Sequence, residues 1–254
     1  MFLIFDILTL LVVWSMFELE SLRYNRLDSA APIETRATTI YEQLKADILG
    51  ARLIPGEKLS MRFLLETYDV GQTPLREALN RLATENLVVA RDQRGFIVKP
   101  VSRDELLELT KTRVWVETLA LREAMANGSQ EWEESLLVAH HRMEKISRSL
   151  SPEVFVDNPK WEQPHRDFHT KLITPCNSKQ LVHFCNQLAE YLYRYRMISV
   201  KKSFQVRNAK AEHTLILQAV IDRNTEEAVY QLQRHFEKTA EFIMDSFTPD
   251  KAAG

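Results

Sequence analysis

The sequence predicts a mostly α-helical chain, built as a small unit of three helices closed by a two-stranded hairpin and followed by an all-helical bundle of six helices. Three observations carry this expectation. The 254 residues include only six glycines and nine prolines, with 45% hydrophobic and 27% charged, which suits a folded, helix-rich chain with short loops. From Arg103 to Phe247 apolar residues recur at helical spacing, and no alternating strand pattern competes. Between Leu59 and Pro100 the order is instead a short helix, a tight turn, a second helix and two strand-like runs. The expected segments are 1–35, a hydrophobic extension and linker; 36–100, the small unit; 101–247, the bundle; and 248–254, a tail.

Residues 2–17, FLIFDILTLLVVWSMF, are hydrophobic but broken by Asp6 and Ser15, and short for a membrane span. A signal peptide would have a basic start and a small-residue cleavage site, and neither is clear. Three readings stay open: an upstream extension from a misplaced start, with Met16 as a later start; an anchor; or a helix packed on the body. Glu18 to Arg36 is polar, punctuated by Asp28, Ser29 and Pro32, and reads as a linker.

Ile40, Leu44, Ile48 and Leu49 place a first helix over Thr39 to Gly50, with Thr38 or Thr39 as its cap. Pro55-Gly56 turns the chain. Phe63, Leu64 and Leu65 suit a second helix, which Tyr68, Asp69 and Val70 end, and Gly71 supplies the turn. A Thr73 N-cap with Pro74 at the first helical position then starts a third helix. Leu75, Leu79 and Leu82 share one face of it. The opposite face offers Gln72, Thr73, Arg76 and Asn80, side chains suited to phosphates and base edges in a major groove. Leu87 to Ala90 and Phe96 to Lys99 form a hairpin across Arg91-Asp92-Gln93-Arg94-Gly95, whose tip suits a minor groove or phosphate. This is the order of a winged helix-turn-helix.

Past Pro100, Ser102 caps a long helix running to Asn127-Gly128. Glu131 to Leu150, Lys160 to Thr174, Ser178 to Ser203, Val206 to Asp222 and Thr225 to Phe247 complete the six. Trp115, Met143 and Trp161 read as packing residues. The formal net charge of −2 does not itself point to nucleic acid, but residues 36–100 hold 10 Lys and Arg against 8 Asp and Glu. That mild asymmetry permits DNA binding through a local patch, strengthened by dimerisation and weakened by salt. Two cysteines, Cys176 and Cys185, cannot frame a disulfide scaffold and fit a reducing cytoplasm.

In the small unit the chain resembles the GntR family of bacterial transcription regulators. The motifs that carry the resemblance are Ile54-Pro55-Gly56-Glu57-Lys58-Leu59, Pro74-Leu75-Arg76-Glu77-Ala78-Leu79, Arg81-Leu82 and Gly95-Phe96-Ile97-Val98. The resemblance implies DNA contacts from Arg62, Gln72, Thr73, Arg76 and Gly95. Most members read valine, serine or threonine, then arginine, where this chain has Val70-Gly71-Gln72. Glutamine pairs with adenine but brings no charge to guanine or phosphate, so the operator preference should differ.

All seven histidines lie beyond residue 139, in the second domain. His165 and His169 are four apart and stack on one helical face, and His213 and His235 sit on two later helices. Four imidazoles converging in a bundle would suit a divalent metal, although a lone histidine on a helix is more often surface or satisfied core. The second domain is similar to the FCD domain of the FadR subfamily through Phe168-His169 with Cys176-Asn177-Ser178, Glu212-His213 with Ala219, and His235 seven residues after Ala228. In many such domains an aspartate and three histidines hold a metal that helps bind a carboxylate effector. The resemblance therefore implies a metal at His165, His169, His213 and His235, with His165 in the aspartate's place. An all-nitrogen site favours zinc or nickel over manganese or calcium. In the other arrangement His165 does not ligate and Asp167 faces elsewhere.

Arg113 matches a basic residue that the subfamily points into the effector cavity, where it would clamp a carboxylate; its plainer reading is an exposed pair with Glu117. The run Tyr191-Leu192-Tyr193-Arg194-Tyr195-Arg196 would supply pocket groups or lie at an interface. No glycine-rich phosphate loop, serine elbow or Cys/His pair supports catalysis. The sequence thus points to a homodimeric, cytoplasmic repressor without enzymatic activity or a membrane partner. It would bind double-stranded operator DNA under control of a small carboxylate and a divalent metal. A metal-dependent helical enzyme and a direct metal sensor are the competing readings.

Overall fold

The computed structural model describes residues 35–91, 95–156, 158–203 and 208–246. The hydrophobic run at 2–17, the linker after it, Asp92-Gln93-Arg94 at the wing tip and the tail lie outside the described residues. No helix among the described residues is long and apolar enough to cross a membrane.

The first helix, α1 (Arg36–Leu49), starts earlier than its expected cap at Thr38 or Thr39. Thr35 caps it, accepting the Thr38 N–H at 3.2 Å. The earlier start extends the buried stripe back to Ala37, in line with Ile40, Tyr41 and Leu44. Ser60 caps α2 (Met61–Thr67), in which Leu64 is fully buried while Phe63 stands 54% exposed. The next helix, α3 (Gln72–Thr84), also begins before its expected N-cap at Thr73. Gly71 is the N-cap, without a side-chain capping bond, so Pro74 occupies the third position. Proline is tolerated there because every N–H of a first turn lacks an intrahelical acceptor. Leu75, Leu79 and Leu82 are fully buried against Leu44, Ile48 and Leu64.

The wing is a three-stranded sheet rather than the expected two-stranded hairpin. β2 (Val88–Arg91) and β3 (Gly95–Val98) pair antiparallel with Val88 opposite Val98. The strand preceding them in the chain, β1 (Lys58–Leu59), pairs with the free edge of β3, placing Lys58 opposite Ile97 and giving the order β1-β3-β2. Two residues are too few to show an alternating pattern. Gly95 has φ +83°, which a side chain would strain.

All six expected bundle helices form: α4 (Arg103–Asn127), α5 (Gln130–Glu144), α6 (Pro159–Ile173), α7 (Lys179–Ser203), α8 (Ala209–Ile221) and α9 (Thr225–Ser246). Ser102 caps α4 as expected, accepting the Glu105 N–H at 3.1 Å, with Asp104 and Glu105 in the first turn where the helix dipole favours them. The expected extension of α5 to Leu150 does not form. Ser149 Oγ takes the N–H groups of Ser151 and Val156 at 3.2 and 2.9 Å, so serine chemistry diverts the backbone from the helix.

The bundle core includes Leu121, Leu136, Phe168, Leu172, Ile216 and Leu232, and Trp132 Nε1 ties α5 to the Lys171 carbonyl at 2.7 Å. Tyr191 and Tyr193 of α7 pack on the core of the small unit, while Leu192 and Tyr195 join Leu106 and Ile243 in a smaller cluster within the bundle. α7 thus fixes one unit on the other.

Gly128 ends α4, and a Cβ there would lie 2.0 Å from Trp132 Cε3 and 2.8 Å from the Ala124 carbonyl. Gly128→Ala should therefore destabilise the chain by about 1–3 kcal/mol, as overpacking does. Urea unfolding followed by circular dichroism measures this; an unchanged midpoint would mean that Trp132 does not seat against the helix end.

Candidate functional site

The α2–α3 corner and the wing present the candidate DNA-reading residues. Gln72, Thr73, Arg76 and Asn80 are all exposed on α3, opposite its buried leucines. Arg62 is exposed on α2 and donates to Glu66 at 3.0 Å, a weak surface pair that leaves the guanidinium available. Gly95 is exposed at the start of β3.

In the bundle, α6, α8 and α9 bring four histidines to one point. His165, His169, His213 and His235 are all buried, and one ligand nitrogen from each lies within 4.8 Å of the others. The helical spacing of His165 and His169 does what the sequence suggests, their ring centroids lying 4.8 Å apart. Burial above all, reinforced by surrounding cationic groups, pushes both well below the usual imidazole value of 6.5, so both are neutral at pH 7.

The donor set fits a divalent transition ion. His169 Nε2 and His213 Nε2 lie 3.2 Å apart. Two nitrogens in a tetrahedral zinc shell, each at about 2.0–2.1 Å from the ion, would be about 3.3 Å apart. His169 Nδ1 is buried without a hydrogen-bond partner. His235 Nδ1 lies 2.8 Å from Glu212 Oε2, an arrangement that puts the ring proton on Nδ1 and leaves Nε2 as a donor to an ion. His165 differs: its Nδ1 lies 3.3 Å from Arg196 Nη1, and since arginine only donates, the neutral ring carries its proton on Nε2. Asp167 is exposed and takes a hydrogen bond from Gln163 at 2.8 Å.

The cluster opens on a cavity of about 250 Å³ whose wall includes Arg113, Glu117, Trp161, Tyr193 and Arg196. Arg113 satisfies both of its sequence readings. It lines the cavity, and its Nε donates to Glu117 Oε1 at 2.6 Å, but the pair is buried rather than exposed, with Glu117 at 3% and Arg113 at 12%. The Arg113 guanidinium also lies 4.0 Å from the centre of the Phe236 ring. The Tyr191–Arg196 run likewise does both things expected of it. Leu192, Tyr193 and Arg196 line the cavity, while Tyr191 donates to the Glu85 carbonyl at 3.0 Å and Tyr195 accepts the Ser102 N–H at 3.3 Å.

Three participants lay beyond sequence reasoning. Trp161, read as packing, stacks on His165 with centroids 4.4 Å apart and lines the cavity. Glu212 braces His235 from one turn of another helix, and Glu162 pairs with Arg196 across two helices. Only tertiary contact defines these roles. Of the other expected packing residues, Met143 is buried, but Trp115 is 60% exposed beneath Lys111.

The sequence model for bacterial regulatory proteins of the gntR family matches residues 36–98, and that for the FCD domain matches residues 108–238. The uncharacterized HTH-type transcriptional regulator BphR of Paraburkholderia xenovorans (strain LB400) is 33% identical over 214 residues, covering 84% of this chain and 87% of that protein. The HTH-type transcriptional repressor GlaR of Escherichia coli (strain K12) is 32% identical over 199 residues, covering 77% and 90%. A putative GntR regulator from Rhodococcus sp. RHA1 superposes with a TM-score of 0.67 at 20% identity, over 84% of this chain and 99% of that one. McbR/YncC of E. coli superposes with a TM-score of 0.64 at 18% identity, over the same shares. These two structural likenesses show the fold.

Burial, opposed by Arg113, raises Glu117 above the usual 4.5. The folded chain therefore binds this proton more tightly than the unfolded chain, and the group's contribution to stability is full below pH 4.5 and lost as pH rises through the folded value. Arg113→Met removes the opposing charge and raises Glu117 further. The variant's deficit in melting temperature against wild type should widen from about pH 5 to about pH 7; a deficit constant with pH would mean that Arg113 does not hold the Glu117 charge.

Proposed function

The chain belongs to the gntR family of bacterial regulatory proteins, in the FadR-type branch that carries an FCD domain, and from that premise we propose that it is a homodimeric repressor governed by a small carboxylate bound beside a divalent metal. The family and the curated relatives are DNA-binding transcriptional regulators, not enzymes. The observation that carries the finer reading is the buried set of four histidines opening on a cavity with Arg113 in its wall.

His169, His213 and His235, with His165 beside them, would hold the ion, and the nitrogen donor set favours zinc or nickel. When bound, the ion supplies a Lewis-acidic contact for one carboxylate oxygen. Arg113 keeps N–H groups beyond the Nε it gives to Glu117, and these bind a second oxygen of the same effector. Glu212 fixes the His235 tautomer. The exposed face of α3, with Arg62 and the wing at Gly95, reads one half-site in the cytoplasm, and a two-fold dimer reads a palindrome.

Metal content of the purified chain is the first test. About one equivalent of transition metal is expected in the parent, and none in a variant carrying both His169→Ala and His213→Ala. Glu212→Ala should lower metal affinity about 10- to 100-fold. No metal in the parent after metal addition would remove the metal from this reading and leave the DNA reader. Loss of DNA retention on chelation, with no response to any of a panel of small acids, would favour a direct metal sensor.

Arg76→Ala should weaken operator binding by about 1–3 kcal/mol with the circular dichroism spectrum unchanged. Unaltered affinity in a gel-shift titration would remove α3 as the reading helix.

A further inference from the structure

A continuous run of charged side chains joins the cavity wall to the far end of α3. Arg196, beside His165, pairs with Glu162. The other oxygen of Glu162 takes Arg166 Nε at 2.9 Å, and Arg166 Nη1 lies 3.4 Å from Glu190 Oε1. Glu190 Oε2 lies 2.9 Å from Lys45 Nζ in α1, and the same ammonium lies 3.0 Å from Glu85 Oε2. Glu85 is the C-cap residue of α3. Its other carboxylate oxygen takes the Tyr41 hydroxyl, and its carbonyl takes the Tyr191 hydroxyl from α7.

Glu190 divides its two oxygens between the cavity and the reader. Arg166, Glu162 and Glu190 all line the cavity, whereas Lys45 belongs to the small unit. None of the four is fully exposed, so these pairs are screened less than surface ones. A carboxylate at the C-terminal end of a helix opposes the helix dipole, and Lys45 offsets that charge at Glu85.

We infer that Glu190 is the relay by which an anion in the cavity loosens the recognition helix. An anion that takes Arg166 leaves Glu190 with Lys45 as its remaining partner in the run. The ammonium is drawn toward Glu190 and away from Glu85, whose charge at the end of α3 is left uncompensated. Operator binding then weakens, which is the sign a released repressor requires. The inference rests on the proposed function only for the occupant of the cavity; the ion pairs themselves need neither metal nor effector.

The test is a double-mutant cycle on the full chain without ligand. Arg166→Gln imitates the loss of Arg166 to an anion. With Glu190 intact it should lower affinity for a duplex selected by the wild-type chain from a randomised pool by about fivefold, the low end for coupled sites. It should also speed amide exchange from Arg81 to Leu87. In a Glu190→Gln background both effects should disappear, and Arg166→Lys should retain most of the affinity, since it keeps the charge. Circular dichroism checks that each variant folds. An Arg166→Gln variant with wild-type affinity and exchange would overturn the relay, as would the same effect in both backgrounds. The exchange arm needs no DNA and neither arm needs metal, so a failed metal assay leaves this outcome decidable.

Discussion

Burying four imidazoles with a ligand nitrogen from each within 4.8 Å of the others requires three helices to converge on one point. Two of the rings come from consecutive turns of α6, and α8 and α9 supply one each. Such a cluster is tolerable only if its rings stay neutral, because like charges at that separation in a dry interior repel strongly. Phe168 and Phe236 press on the rings, and Arg113 stands close enough to disfavour protonation. The positions of α6, α8 and α9, and the cavity between them and α7, follow from that demand.

Much of this was legible along the chain. The leucines of α3 declared its buried face by their spacing, Ser102 announced the start of α4, and the absence of histidine before His140 set the second domain apart. What escaped notice has physical causes. Lys58 and Leu59 form a strand only because β3 offers a free edge, which no local pattern encodes. Thr35 outcompeted better-looking caps because the buried stripe extends back to Ala37, further than the polar punctuation implies. Glu117 shows its Arg113 partner by spacing but not its burial, whereas Glu162 and Glu212 give no local sign of Arg196 and His235, which the fold brings to them from other helices. A local window records residue type and period, but a charge acquires its role from partners on other helices.

The reader's own chemistry is economical with charge. Gln72 brings no charge to the reading face, and the unit has only a slight basic excess. Its helices are therefore held by apolar packing, by hydrogen bonds that turn inward, Tyr68 to Asp47 and Tyr41 to Glu85, and by the Arg81 guanidinium over the Tyr41 ring. Burial and its carboxylate partner push the Tyr41 hydroxyl up to about 12, so it remains a donor throughout the physiological range. Among the described residues, the outward face of α3 at Gln72, Thr73 and Arg76 is thereby left free of intramolecular duties.

Tyr191 and Tyr193, packed on the reader's core from α7, bear on how such proteins are inherited. The seam at Pro100 looks like the natural cut between two exchangeable modules, yet part of the small unit's floor is supplied from about ninety residues downstream. A graft of this reader onto a foreign partner would carry its operator preference but expose the patch those tyrosines cover. Descent by shuffling whole halves is thus penalised, and the two parts are expected to change together, with residues facing the seam drifting as matched sets rather than singly.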